Sequence, residues 1–143
     1  MQSRAISTTV ASLLGLILCA CSDVYVPSAK DLAKHPFIID GTDVRGIYAN
    51  RDVVSEVFSY HTAATEVALL ARLRERMRRE GYEHLDTVGG AYRFRREKAG
   101  GAGGDSEVRI RHDISTGTVI VAEVDDMSAN RDWADQNVWI FLR

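Results

Sequence analysis

The sequence predicts an α+β domain in which one amphipathic helix packs on an antiparallel sheet of about four to five strands. Three observations carry this. Residues 63–80 hold Ala63, Val67, Leu70, Leu73 and Met77 at helical spacing, forming one stripe fit for burial. Ala91-Tyr92-Arg93-Phe94-Arg95 alternates aromatic with arginine, the pattern of a half-buried strand. Turn-forming runs, Asp40-Gly41-Thr42-Asp43 and Ser115-Thr116-Gly117, separate the apolar segments.

In chain order, residues 22–36 read as a tether, punctuated by Pro27, Ser28, Lys30, Asp31, Lys34 and Pro36. About fifteen flexible residues span roughly 20 Å. The alternative is that Val24, Tyr25 and Val26 add an edge strand to the domain. The domain is expected from Phe37 to the end, 37–143, and opens with 37–39 and 44–49 as a short hairpin or an irregular lead-in. Residues 52–60 form a better strand, rich in Val53, Val54, Val57, Phe58 and Tyr60. Thr62 is the expected N-cap of the helix and Gly81 its stop. Residues 82–85 extend or precede the strand at 91–95, and the glycines of 98–105 make a mobile loop.

Residues 107–114 and 118–125 then form a hairpin. Facing Ile114 with Thr118 puts Val108, Ile110 and Ile114 on one face with Ile120, Ala122 and Val124, and sets Arg109 opposite Glu123 on the other. Val138-Trp139-Ile140-Phe141-Leu142 is expected as a last strand, apolar on both sides and therefore central or covered on both faces.

The chain has 143 residues, enough for a single domain to bury a core. Its 18 basic against 20 acidic residues argue against general nucleic-acid binding, which favours a strongly basic domain. The two cysteines, Cys19 and Cys21, both fall near the N-terminus. The domain therefore has no disulfide framework, no cysteine-bound zinc and no thiol nucleophile.

That N-terminus has its own pattern. Arg4 is its one charged residue, and residues 5–20 carry none. A charged start, an apolar run and a small residue before a cut make an export signal. The run is shorter than the ~20 apolar residues of a comfortable membrane span. Leu18-Cys19-Ala20-Cys21 resembles the lipobox of bacterial lipoproteins, with an apolar residue at −3, a small one at −1 and cysteine at +1. The resemblance covers only the leader, 1–20. It implies that Cys21 is diacylated on sulfur and, in most Gram-negative bacteria, acylated again on its amine, and two or three chains make attachment durable. It also implies sorting to the outer membrane, because Ser22 stands where aspartate favours retention in the inner one, although Asp23 follows.

Chemistry is scarce. His35, His61, His84 and His112 are scattered, and none has a second ligand at helix or strand spacing, so no metal site is expected. Lys98 precedes the glycines of 98–105 and a strand follows them, the reverse of a phosphate loop. Asp125-Asp126, Asp132 and Asp135 read as turn caps or solvated acids, and their spacing fails the calcium-loop pattern. No Gly-x-Ser-x-Gly elbow occurs. No cofactor is expected, nor catalysis.

Charge layout is the remaining feature. Arg72, Arg74, Arg76, Arg78 and Arg79 crowd the second half of the helix, whereas 113–135 holds six acids against Arg131 alone. One reading is that these segments neutralise each other, that the arginines complement the helix dipole, and that Glu75 pairs with Arg79. The other is that Arg72, Arg76 and Arg79, on one helix face, bind an anionic partner: lipid headgroups or an acidic protein. The sequence thus points to a lipid-anchored envelope protein of binding or accessory type. An inhibitor or immunity protein against one enzyme or toxin is the first alternative, and an envelope hydrolase the second.

Overall fold

The computed structural model describes residues 23–51, 55–97 and 104–142. The leader, Cys21 and most of the glycine loop, 98–103, lie outside the described residues, as does the start of the strand expected at 52–60. The elements are β1 (Val24–Tyr25), α1 (Ala29–Leu32), β2 (Gly41–Asn50), β3 (Ser55–Thr62), α2 (Glu66–Arg79), β4 (Glu83–Val88), β5 (Ala91–Arg96), β6 (Ser106–Asp113), β7 (Thr118–Val124) and α3 (Met127–Phe141). Every strand pairing is antiparallel, in the order β1-β2-β3-β7-β6-β5-β4. Two meanders, β1 to β3 and β4 to β7, are joined by α2 and zipped together where β7 meets β3.

The α+β class and the antiparallel sheet are as expected, but the sheet has seven strands, and α1 and α3 join the expected helix. The reason is that both faces of the sheet are apolar. On one face Phe58, Tyr60, Phe94, Val108, Ile110, Val119 and Val121 pack with Leu69, Leu73 and Met77 of α2. On the other, Val57, Ala91, Ala122 and Val124 pack with Met127, Ala134 and Val138 of α3. The central strands therefore cannot be covered by one helix.

Residues 138–142, expected as the last strand, are the end of α3 and its C-cap. A short apolar run does not distinguish strand from buried helix by itself. Here Asp126 starts a helix, with its carboxylate accepting from the N–H of Ala129. Ala134 and Val138 then recur four residues apart on the buried side, while Ile140 faces solvent. The adjacent acids Asp125 and Asp126 work as local caps: Asp126 also accepts from Gly104 N–H and Ser128 Oγ, and Asp125 accepts from Ser106 Oγ.

The helix expected at 63–80 is α2, with two shifts. Its N-cap is Thr65, whose hydroxyl accepts from Ala68 N–H, whereas Thr62 ends β3 and its hydroxyl accepts from Ala64 N–H. The buried stripe is Leu69, Leu73 and Met77; Val67 is 81% exposed and Ala63 is exposed too. Ala63 precedes the helix, and Val67 lies about 120° around it from Leu73, so neither falls on the stripe that Leu69, Leu73 and Met77 form. The C-terminus ends as expected at Gly81, with φ +86. Tyr82 N–H bonds Met77 C=O and Gly81 N–H bonds Arg78 C=O, the paired bonds of a Schellman cap.

The hairpin β6–β7 is slipped by one residue from the expected register. Asp113, not Ile114, faces Thr118, so Arg109 lies opposite Ala122 and Val108 opposite Glu123. Val108 and Ile110 thus share the α2 face with Val119, Val121 and Glu123, while Ile120, Ala122 and Val124 turn to the α3 face. Ile114 is left exposed in the turn. Arg109 finds its carboxylates elsewhere: Glu107 at 2.9 Å and Asp135 of α3 at 2.8 Å, beneath the ring of Trp139.

The segment expected as a tether is part of the fold. β1 pairs with β2, Asp23 C=O accepts from Arg51 N–H, and Leu32 of α1 is 2% exposed in the α2-side core. Ser28 caps α1 by accepting from Asp31 N–H. Pro27 presses against β2 so closely that a Cβ on Gly46 would meet its carbonyl oxygen at 1.9 Å. Gly46→Ala is therefore expected to cost about 1–3 kcal/mol, the range for overpacking, measured by denaturant titration. A segment free of the sheet would leave the midpoint where it is.

Candidate functional site

One end of the sheet, on its α2 face, gathers polar residues that the strand pattern alone does not connect. β3 places Glu56 there, β7 places Glu123 with Asp125 just beyond its end, and β5 ends there with Arg96. The Schellman cap of α2 delivers Glu80 and Tyr82 to the same place, and the N-terminal segment adds Tyr25, Pro36 and Phe37. These side chains, with Asn50, Arg51 and Ser55, line an open cleft of about 470 Å³. That volume is within the range of small-molecule sites.

At the inner wall, Glu56 and Glu123 are directly opposite each other in the β3–β7 ladder and on the same face. Like charges so placed repel. Burial, and then the charge of Glu123, push the Glu56 carboxyl above its ordinary range, with His35 acting against them. His35 comes from the loop after α1, its ring packed against Phe37 and Phe58 at 5.1 and 4.5 Å between centroids. Its Nε2 lies 3.2 Å from Glu123 Oε2, and its Nδ1 accepts from the Phe37 N–H at 3.2 Å. The neutral ring therefore carries its proton on Nε2 and donates it to Glu123.

Two tyrosines flank the acids, each with an arginine over its ring. Arg51 lies 4.3 Å from the centroid of Tyr25, and Arg96 lies 4.7 Å from that of Tyr82. Tyr82 also meets Phe37 edge to face at 5.7 Å. Burial, helped by the charge of Glu123, pushes its phenol up to about 12, so it enters the site as a hydroxyl.

No protein-family model, curated protein or solved structure matches the chain.

His35, Glu56 and Glu123 offer three donor atoms within 4.8 Å of one another, the one such group among the described residues. Along the chain the four histidines are isolated: His35 and Glu123 are 88 positions apart. Donor type and spacing suit a divalent ion. The surrounding bonds do not, because a metal-bound imidazole donates from its other nitrogen, and here that nitrogen already faces the N–H of Phe37.

The residues singled out from the sequence lie elsewhere. Arg72, Arg76 and Arg79 do share one face of α2, where with Ile38, Ile39, Asp40 and Glu75 they line a smaller depression of about 280 Å³. Each is engaged within the chain: Arg72 pairs with Asp40, Arg76 donates to Pro36 C=O at 3.2 Å, and Arg79 pairs with Glu75 at 2.7 Å. The last is the expected i,i+4 pair. His84 lies beside Arg74 and the ring of Phe94, and His112 shares the α2 face of β6 with Val108 and Ile110.

Glu56 and Glu123 had one signal in the sequence. Each shares a strand face with apolar residues, Glu56 with Phe58 and Tyr60, Glu123 with Val119 and Val121. Raising a carboxyl's pKa on folding means that its ionisation opposes the folded state. That penalty is absent below about pH 4.5, the ordinary value, and develops as pH rises through the folded one. Glu56→Gln is thus expected to melt higher than the wild type at pH 7, with the difference vanishing near pH 4. Thermal unfolding at both values checks this.

Proposed function

We propose that this is a non-catalytic binding or accessory protein of the bacterial cell envelope, exported by residues 1–20, anchored through acylated Cys21, and binding its partner in the cleft between Tyr25 and Tyr82. The observation that carries the binding reading is the cleft itself. It draws on the N-terminal segment, four strands and the end of α2, and it holds both signs of charge. The arginine face of α2 is less well suited, since Arg72, Arg76 and Arg79 already meet Asp40, Pro36 and Glu75.

The anchor is supported by the leader pattern, and it fits the fold in one respect. Asp23 is already bonded to Arg51, so Ser22 alone would separate the acylated cysteine from the sheet. Four residues from Cys21 to Tyr25 reach at most about 14 Å. The cleft's Tyr25 wall would then lie close to the headgroups rather than on a long stalk.

A second reading, an inhibitor or immunity protein, draws on β4. Among the described residues this strand has no neighbour on its outer side, and Leu85 and Val88 are exposed along it. An open edge can take a partner's strand.

Labelled palmitate should enter the wild type but not Cys21→Ser; equal labelling of both, or of neither, removes the anchor. Immobilised protein exposed to solubilised envelope should retain its partner at low and moderate salt. Loss of that partner in Arg96→Glu but not in Leu85→Lys favours the cleft, and the reverse favours the strand edge.

A further inference from the structure

We propose that the cleft recognises a small zwitterion: a primary ammonium held by Glu56 and Glu123, joined to a phosphate or carboxylate held by Arg51 and Arg96. This deepens the binding reading and rests on it.

The argument is one of charges left without partners on both sides of one cavity. Glu56 has no hydrogen-bond donor among the described residues, and it faces Glu123 across the ladder. Arg51 and Arg96 have no carboxylate within ion-pair distance among those residues, although Arg72, Arg79, Arg93, Arg95 and Arg109 all do. Arg96 does donate to Glu80 C=O at 3.2 Å. Both cleft arginines are held over tyrosine rings, which fixes their heads without neutralising them. Acids and arginines in the same cleft thus remain unpaired with each other. A ligand carrying both charges satisfies both sets. The remaining acids do not alter this: Asp125 accepts from Ser106, and Glu80 is exposed at the rim.

The cation is an amine rather than a metal because of His35. Its Nδ1 takes the N–H of Phe37, so Nε2 keeps its proton and points it at Glu123. The carboxylate lone pairs that remain call for N–H donors, of which a primary ammonium has three. A quaternary ammonium has none. The same chemistry occurs in the phosphoethanolamine headgroup of a lipid and in a free amino acid or short peptide.

The test is calorimetric titration of the full chain in neutral detergent with O-phosphoethanolamine, alanyl-alanine, phosphocholine and ethanolamine. O-phosphoethanolamine, alanyl-alanine or both should bind saturably, and phosphocholine and ethanolamine at least tenfold more weakly. Glu56→Gln and Arg96→Gln should each weaken binding at least tenfold, the loss of a charge-assisted hydrogen bond. Their circular dichroism melts confirm that they fold. Preference for O-phosphoethanolamine, with vesicles of phosphatidylethanolamine bound better than phosphatidylcholine, assigns a lipid headgroup; preference for the dipeptide, with both vesicles bound alike, assigns a soluble ligand.

Zwitterions that bind no better than phosphocholine, or as well to Glu56→Gln as to wild type, overturn the proposal. So does binding of Zn²⁺ or Mn²⁺ that Glu56→Gln abolishes while the zwitterions fail to bind. A chain that takes up no palmitate yet binds the zwitterion loses the anchor and keeps this site. A labelled chain that binds none keeps the anchor and loses the site.

Discussion

The pairing of Asp113 with Thr118 is the constraint on which the rest depends. β7 lies at the middle of the sheet, so its register against β6 also sets which of its residues meet β3. The turn that fixes it is local chemistry. Asp113 carboxylate accepts from both the N–H and the hydroxyl of Ser115, bonds that hold that carboxyl below its usual range. Gly117, at φ +74, returns its N–H to Asp113 C=O and offers its own carbonyl to Thr62 N–H. A Cβ on Gly117 would meet the Thr62 carbonyl oxygen at 2.6 Å. The turn is therefore stitched to β3 as well as to β6. A one-residue slip would exchange every side chain between the two faces, taking Glu123 away from Glu56 and Arg109 out of reach of Asp135.

How legible this was in the sequence varies with the range of the interaction that decides each part. The α+β class, α2 and its glycine stop, and the strands at 91–96 and 106–124 follow from local pattern and were readable. The hairpin register was not, because Ser115-Thr116-Gly117 is compatible with a loop of three or four residues, and only the Asp113–Ser115 bonds and the contact with Thr62 choose between them. Residues 138–142 were misread because an apolar run looks alike in a strand and in a helix under a sheet. Residues 22–36 looked like linker because two prolines and four charged residues dominate their composition. Leu32 nevertheless fills part of the α2-side core, and composition does not report where one side chain lands.

The site was almost illegible for the same reason. His35, Glu56 and Glu123 come from three segments, and nothing in their spacing connects them. What brings them together is the sheet order, in which β7 returns across the first meander. The arginine run on α2, by contrast, was conspicuous in the sequence and is largely spent within the chain. Clustering along the sequence measured how many charges are present, whereas the fold determines which of them have partners. Arg96 and Arg51, unremarkable in the sequence, are the arginines that the cleft leaves without a carboxylate.

The N-terminal segment links these observations. Tyr25 and Phe37 line the cleft, His35 bonds the Glu123 that lines it, and the same segment supplies Leu32 to the core and Pro27 to the contact with Gly46. The cleft thus cannot form in this shape on a domain that starts at residue 37, since its Tyr25 wall and its His35 donor would both be missing. Core packing and site assembly share one strap. In the anchored protein proposed above, that strap begins two residues after the acylated cysteine, so a displacement of the domain from the membrane is borne first by β1 and the bond from Arg51 to Asp23. Attachment and binding then meet at β1, which is both the first strand after the anchor and one wall of the cleft.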